Sequence, residues 1–156
     1  VAPRRTCSML HGVLTVRRSS IAELRAEEHG LCAMNWHEAH PGEPFAIDWE
    51  LYHRIEDAGG LDVLAAWEGN RMAGYIVTTH HVHPQSGERT ACTAGCYVRP
   101  GADAGFALRK MLRLALDVAK HRSSDFNVDD RIDGRLGRLL VREGFRPRSV
   151  VYGRSI

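Results

Sequence analysis

No apolar run in the chain approaches the roughly 20 residues that a membrane-spanning helix needs, so no membrane partner is expected. Charge of one sign is also missing. The formal net charge is only +2, and the arginines are spread along the chain with some bias to the last third, which leaves no electrostatic case for nucleic acid. Cysteine is scarce: Cys7, Cys32, Cys92 and Cys96 show no C-x-x-C spacing and read as reduced thiols rather than a disulfide framework. The start of the chain, Val1-Ala2-Pro3-Arg4-Arg5, is basic but leads into no long apolar core, so a secretory signal is not expected and a cytoplasmic setting is. His81-x-His83 and Cys92-x-x-x-Cys96 contain metal donors but follow no zinc spacing, so no metal is expected. Cys92 and Cys96 are expected on one strand face.

What is present suits one globular domain over residues 1–156, long enough to bury roughly two thirds of the surface its unfolded chain exposes. The most informative stretch runs from Tyr97 to His121. A β-rich apolar run ends at Pro100, small residues follow, and Leu108, Met111, Leu112, Leu114, Ala115, Val118 and Ala119 then recur at helical spacing. A strand thus feeds a helix through a loop of small residues. First-turn amides lack intrahelical acceptors and lie at the positive end of the helix dipole, which suits an anion such as a phosphate.

The rest of the pattern is a strand over 12–17 and a helix over 21–34, opened by a capping box of Ser20 and Glu23. A broken polar stretch over 38–44 and a second helix over 47–58 follow. Strands over 61–67 and 72–79 form a hairpin through Glu68-Gly69-Asn70, and the polar insert 80–88 leads to a third antiparallel strand over 90–98. After the long helix come a short strand over 124–128, a helix over 132–143 stopped by Gly144, and a closing strand over 145–155. The fold class is therefore α/β (α+β), in the order βααβββαβαβ.

This order, with the strand-loop-helix signature past the middle, resembles the GCN5-related N-acetyltransferase (GNAT) family over nearly the whole chain. A bacterial and bacteriophage branch is the nearest likeness. The local features are Ile47-Asp48-Trp49-Glu50-Leu51-Tyr52, His80-His81-Val82-His83, Tyr97-Val98-x-Pro100 and Leu139-Leu140-x-Arg142-x-Gly144-Phe145, leading into Val150-Val151-Tyr152-Gly153-Arg154. The resemblance implies a mixed, mostly antiparallel twisted sheet of about six strands with about four helices. It also implies acetyl-CoA as co-substrate and an amine on a small molecule or protein as acceptor. The strand 90–98 would splay from 124–128, with pantetheine against Cys96, Tyr97 and Val98 and the diphosphate on the amides of Ala104, Gly105, Phe106 and Ala107. The family's loop motif carries Arg or Gln where this chain has Ala102 or Asp103, depending on the alignment.

Transfer to an amine needs a base, oxyanion donors and an acid for the leaving thiolate. The strand 90–97 holds no carboxylate, and Leu140 stands where many members of the family have a tyrosine. The catalytic candidates are then His81 and His83, with His80 beside them, and Tyr152. Glu27, Glu28, Trp36 and His37, on or just after the first helix, are candidates for the acceptor wall. The rival expectation is a GNAT-fold protein without catalysis, structural or interacting, such as a phage accessory or virion component. A homo-oligomer or a larger phage assembly is the corresponding partner.

Overall fold

The computed structural model describes residues 13–101, 103–130 and 136–148. Among the described residues five strands make one sheet in the order β1-β2-β3-β4-β5: β1 (Leu14–Ser19), β2 (Leu61–Glu68), β3 (Arg71–Val82), β4 (Arg89–Val98) and β5 (Asp125–Asn127). The first four pair antiparallel and β5 joins β4 in parallel, a mixed, mostly antiparallel sheet. Gly69, at φ +60°, and Asn70 close the β2–β3 hairpin in two residues, with glycine at the position that demands positive φ.

Helices cover both faces, so β2 and β3 are apolar nearly throughout instead of alternating with polar residues. On one face Val63, Ala65, Tyr75 and Val77 meet α1 (Ile21–Arg25), α2 (Ala33–Ala39) and α3 (Trp49–Asp57), with Ile21 and Leu31 fully buried. On the other, Ala66, Ile76 and Ala73 pack on Met111 and Leu112 of α4 (Ala104–Ala119) and on Leu140 of α5 (Gly137–Arg142). The α4 stripe of buried Ala107, Met111, Leu112, Ala115 and Val118 follows the expected helical period. Among the described residues no helix is long and apolar enough to cross a membrane.

Several boundaries differ from expectation, each for a local reason. The helix expected over 21–34 breaks after Arg25, and a π-helical turn at Glu28–Cys32 with Gly30 at φ −105°, ψ −105° re-aims the chain into α2. As a result Glu38 lies on a helix and not in a broken stretch. Ser20 accepts the Glu23 amide at 3.2 Å as the capping box predicts, but the Glu23 carboxylate turns to Arg17 and Ser19, so the described bonds make half a box. The insert at 80–88 is shorter than expected, because β3 continues to Val82 and carries His80 and His81 inside the strand. Phe145–Arg148 is not strand, and the remainder of the expected closing strand, with Tyr152, lies outside the described residues.

Candidate active site

β4 and β5 stay in register over three pairs only, Thr90 with Asp125, Ala91 with Phe126 and Cys92 with Asn127. Past Cys92 no further backbone pair forms among the described residues, and this end of the pairing is the fork. A bulge helps to turn β4 away: Val77 pairs Gly95 and Thr78 pairs Thr93, so Ala94 is an extra residue that bends and twists the strand. The bulge also reverses the side-chain alternation. Cys96 faces α4 with its partner Ile76, whereas Cys92 takes the opposite face with Thr79, which corrects the expectation that the two cysteines share a face.

The fork opens into a cavity of about 1020 Å³ reached from both faces of the sheet. Its walls include Tyr75 and Trp49 from the α1–α3 side, and Leu108, Leu136 and Leu139 from the α4–α5 side. The backbone of β4 lies between. Because the Arg99 amide donates to Ala73 on β3 at 2.8 Å, strand alternation turns the amides of Val98 and Cys96 toward the fork.

On the α1–α3 side the Tyr97 hydroxyl donates to Glu38 Oε1 at 3.0 Å, and Asn35 Nδ2 donates to the Tyr75 hydroxyl at 2.8 Å. Burial raises the Tyr97 pKa, the Glu38 bond raises it further and the Arg99 charge opposes it, so this phenol stays a donor at neutral pH. Burial likewise raises Tyr75. Trp36 stacks on His40 at 4.2 Å between ring centroids, and Trp36 Nε1 and His40 Nδ1 are buried without a partner among the described residues. Among the described residues this half of the cavity is aromatic and carries one carboxylate, Glu38.

On the α4–α5 side the cavity reaches Pro100, Ala104 and Gly105, which brings the start of α4 to the fork. A Cβ added to Gly105 would meet nothing within 4 Å, so a ligand can approach this backbone closely. Asp103 occupies the N-cap position without making a side-chain cap bond. Asp129 and Asp130 line the same side, with the Asp129 amide on Thr93 Oγ1 at 3.2 Å. Cys96 lines this wall half-buried, where desolvation pushes its thiol pKa up to about 12 and the Asp130 charge adds to the shift.

Of the residues singled out in the sequence, Cys96, Tyr97, Val98, Ala104 and Gly105 all line this one cavity. Phe106 is half-exposed beside it, and Ala107 is buried against the sheet. His81 and His83 are exposed and do not line it: His81 Nε2 lies 3.9 Å from Cys92 Sγ, and His83 Nδ1 accepts the Ser86 amide at 3.4 Å in the β3–β4 turn. His80 is bound between Asp62 and Ser123. Trp36 lines the cavity, whereas Glu28 takes the Trp49 indole at 2.9 Å behind it. The residue that sequence reasoning missed is Glu38. Its signal was the i, i+3 spacing from Asn35, hidden by the break at Gly30.

No family model matches the sequence, and no curated protein matches it. Solved structures do match. An aminoglycoside acetyltransferase from an uncultured soil metagenomic sample, in complex with sisomicin, superposes with a TM-score of 0.70 at 11% identity, covering 92% of this chain and 96% of that one. A ribosomal-protein-alanine N-acetyltransferase from Brucella melitensis biovar Abortus 2308 gives 0.68 at 14% identity, covering 92% and 99%. A transcriptional regulator from Bacillus halodurans C-125 gives 0.73 at 15% identity, covering 92% and 99%. At such identities the likeness shows the fold alone, and that fold is the GNAT acetyltransferase fold.

Proposed function

We propose that this chain is an N-acetyltransferase that moves an acetyl group from acetyl-CoA to a primary amine. The observation that carries the reading is the fork between β4 and β5, which joins two differently built half-cavities through one gap in the sheet. Transfer between two substrates needs such a gap, because donor and acceptor must meet while each is held on its own side. Acetyl-CoA supplies an activated thioester carbonyl.

The backbone of Cys96, Tyr97 and Val98 offers the pantetheine arm strand-like hydrogen bonds, and the Val98 or Cys96 amide faces the developing oxyanion. The start of α4, from Ala104 to Ala107, lies toward the diphosphate. Glu38 is the group we assign to proton removal from the incoming ammonium, directly or through water. Tyr97 is a positioning residue that orients its carboxylate. Desolvation holds the Cys96 thiol in its protonated form, so we assign it no covalent role in the transfer.

The test is a thermal-shift titration with acetyl-CoA followed by measurement of CoA release. The acceptor panel includes an aminoglycoside and an alanine-terminated peptide, the two acceptor classes named by the structural relatives. Saturation at 100 times the dissociation constant should stabilise the fold by about 2.7 kcal/mol. A chain that shows neither a shift nor any acceptor-dependent release is not an acetyltransferase.

A further inference from the structure

The α1–α3 half of the cavity is walled by aromatic rings from four places in the chain: Trp36 and His40 at the end of α2, Trp49 and Tyr52 on α3, Tyr75 on β3 and Tyr97 on β4. Their polar atoms are largely turned to the protein. Trp49 Nε1 donates to Glu28 Oε1 at 2.9 Å, Asn35 Nδ2 donates to the Tyr75 hydroxyl at 2.8 Å, and the Tyr97 hydroxyl donates to Glu38 at 3.0 Å. Trp36 Nε1 and His40 Nδ1 are shielded from solvent in their stacked pair. An occupant of this half therefore meets mostly ring surface.

Between the rings the strand is bare. Tyr75 and Tyr97 are cross-strand partners on one face of the sheet, and Gly95 lies on that face two residues before Tyr97. Gly95 lines the cavity, and a Cβ added to it would lie 3.5 Å from Tyr75 Cε2 and 4.0 Å from Asn35 Nδ2. The missing side chain leaves a recess beside the Tyr75 ring, the kind of place a further ring fills by offset or edge-to-face contact.

A polyhydroxylated amine would press its hydroxyls against this ring surface and lose their water without regaining partners. An aryl group gains burial and ring contacts there. Its ammonium is drawn to the Glu38 carboxylate and to the faces of the surrounding rings.

We propose, building on the acetyltransferase reading, that the acceptor is an arylalkylamine, with its ring seated among these side chains beside Gly95 and its nitrogen beside Glu38. Glu38 takes one proton from the ammonium, and the free amine forms the C–N bond as the thioester C–S bond breaks. A second nitrogen proton passes to the leaving thiolate, giving the N-acetyl amine and the CoA thiol. Trp36 and Gly95 are the residues that set this preference.

Steady-state CoA release at saturating acetyl-CoA tests it, with 2-phenylethylamine and ethylamine as acceptors beside the aminoglycoside and the alanine-terminated peptide named above. kcat/KM should be ~10- to 100-fold higher for 2-phenylethylamine than for ethylamine, as burial of one phenyl group gives, and higher than for the other two. Gly95→Ala fits the free chain, since its Cβ makes only ordinary contacts, but fills the recess. Both it and Trp36→Ala should lower kcat/KM for 2-phenylethylamine ~10-fold more than for ethylamine, through KM. An acetyl-CoA thermal shift equal to that of the parent chain shows that each variant is folded. Equal kcat/KM for 2-phenylethylamine and ethylamine, faster use of the aminoglycoside or the peptide, or an acetyl-CoA thermal shift with no release from 2-phenylethylamine would each overturn the inference and leave acetyl-CoA binding standing. Absence of both the thermal shift and CoA release with every amine would overturn the acetyltransferase reading as well.

Discussion

Tyr97 and Glu38 are 59 positions apart in sequence, yet the Tyr97 hydroxyl donates to the Glu38 carboxylate at 3.0 Å in the α1–α3 half of the cavity. One comes from β4 and the other from α2, so the bond ties a helix on one side of the cavity to the strand that borders the fork. If Glu38 takes the ammonium proton, Glu38→Gln should lower kcat by ~10²-fold or more, while the affinity for acetyl-CoA stays within a factor of two or so. Tyr97→Phe keeps the ring and removes the orienting bond, and should lower kcat by ~10-fold. Its pH–rate profile should also shift, which loss of packing alone would not produce. Steady-state kinetics with a saturating acceptor, beside titration of the thioester, separate the two effects.

Gly74 on β3 pairs with Val98 in the forked part of β4. A Cβ there would sit 2.8 Å from the Tyr97 carbonyl oxygen and 3.0 Å from Val98 Cγ2. Backbone cannot yield as a flexible side chain can. Gly74→Ala should therefore destabilise the fold by about 1–3 kcal/mol and push β4 toward the gap. Denaturant unfolding should show the loss, and acetyl-CoA affinity should fall with it. A variant of wild-type stability would mean that β4 is free to move at this point.

The elements read correctly in the sequence are those whose signals are local. α4 announced itself through the spacing of Met111, Leu112, Ala115 and Val118, and the β2–β3 hairpin through Gly69-Asn70. α3 starts at Trp49 inside the expected span 47–58, because Asp48 caps it by accepting the Leu51 amide at 2.9 Å. The bulge at Ala94 was not legible, because nothing within β4 tells how its residues count against β3. That count decides which face every side chain beyond it takes. The same limit hid Glu38: Gly30 breaks the helical period, and only tertiary packing restarts it as α2. The sequence thus brought out Cys96, Tyr97, Val98, Ala104 and Gly105, which line one cavity, and passed over Glu38, which lines it too.

Asp62 is nearly buried and gathers three partners: His80 Nε2 and Arg122 Nη1 at 2.8 and 2.9 Å, and Arg18 Nη1 at 3.6 Å. His80 Nδ1 meets Ser123 Oγ at 3.1 Å, so the cluster fastens the turn after α4 to β2 and β3. Removing the carboxylate strands several donors at once. Asp62→Ala should cost about 3 kcal/mol, read as a lower urea midpoint with unchanged slope. None of these residues lines the cavity, so the stabilisation conferred by acetyl-CoA on the folded variant should match that of the parent chain.

Glu23 provides a test in acid. The Arg17 guanidinium, at 2.9 Å, and the Ser19 hydroxyl hold its carboxyl at about 2, well below the ordinary carboxylate range. A folded-state value below the unfolded one means that the carboxylate stabilises the fold fully above the unfolded value of about 4.3, and that this contribution is lost as pH falls toward about 2. The side chain is 39% exposed, so solvent screening keeps the effect below about 1 kcal/mol. Glu23→Gln should therefore lower stability slightly at pH 7 and not at all at pH 2. Urea midpoints of the two proteins measured across that range should converge as pH falls; a constant offset would assign the cost of the substitution to packing and not to charge.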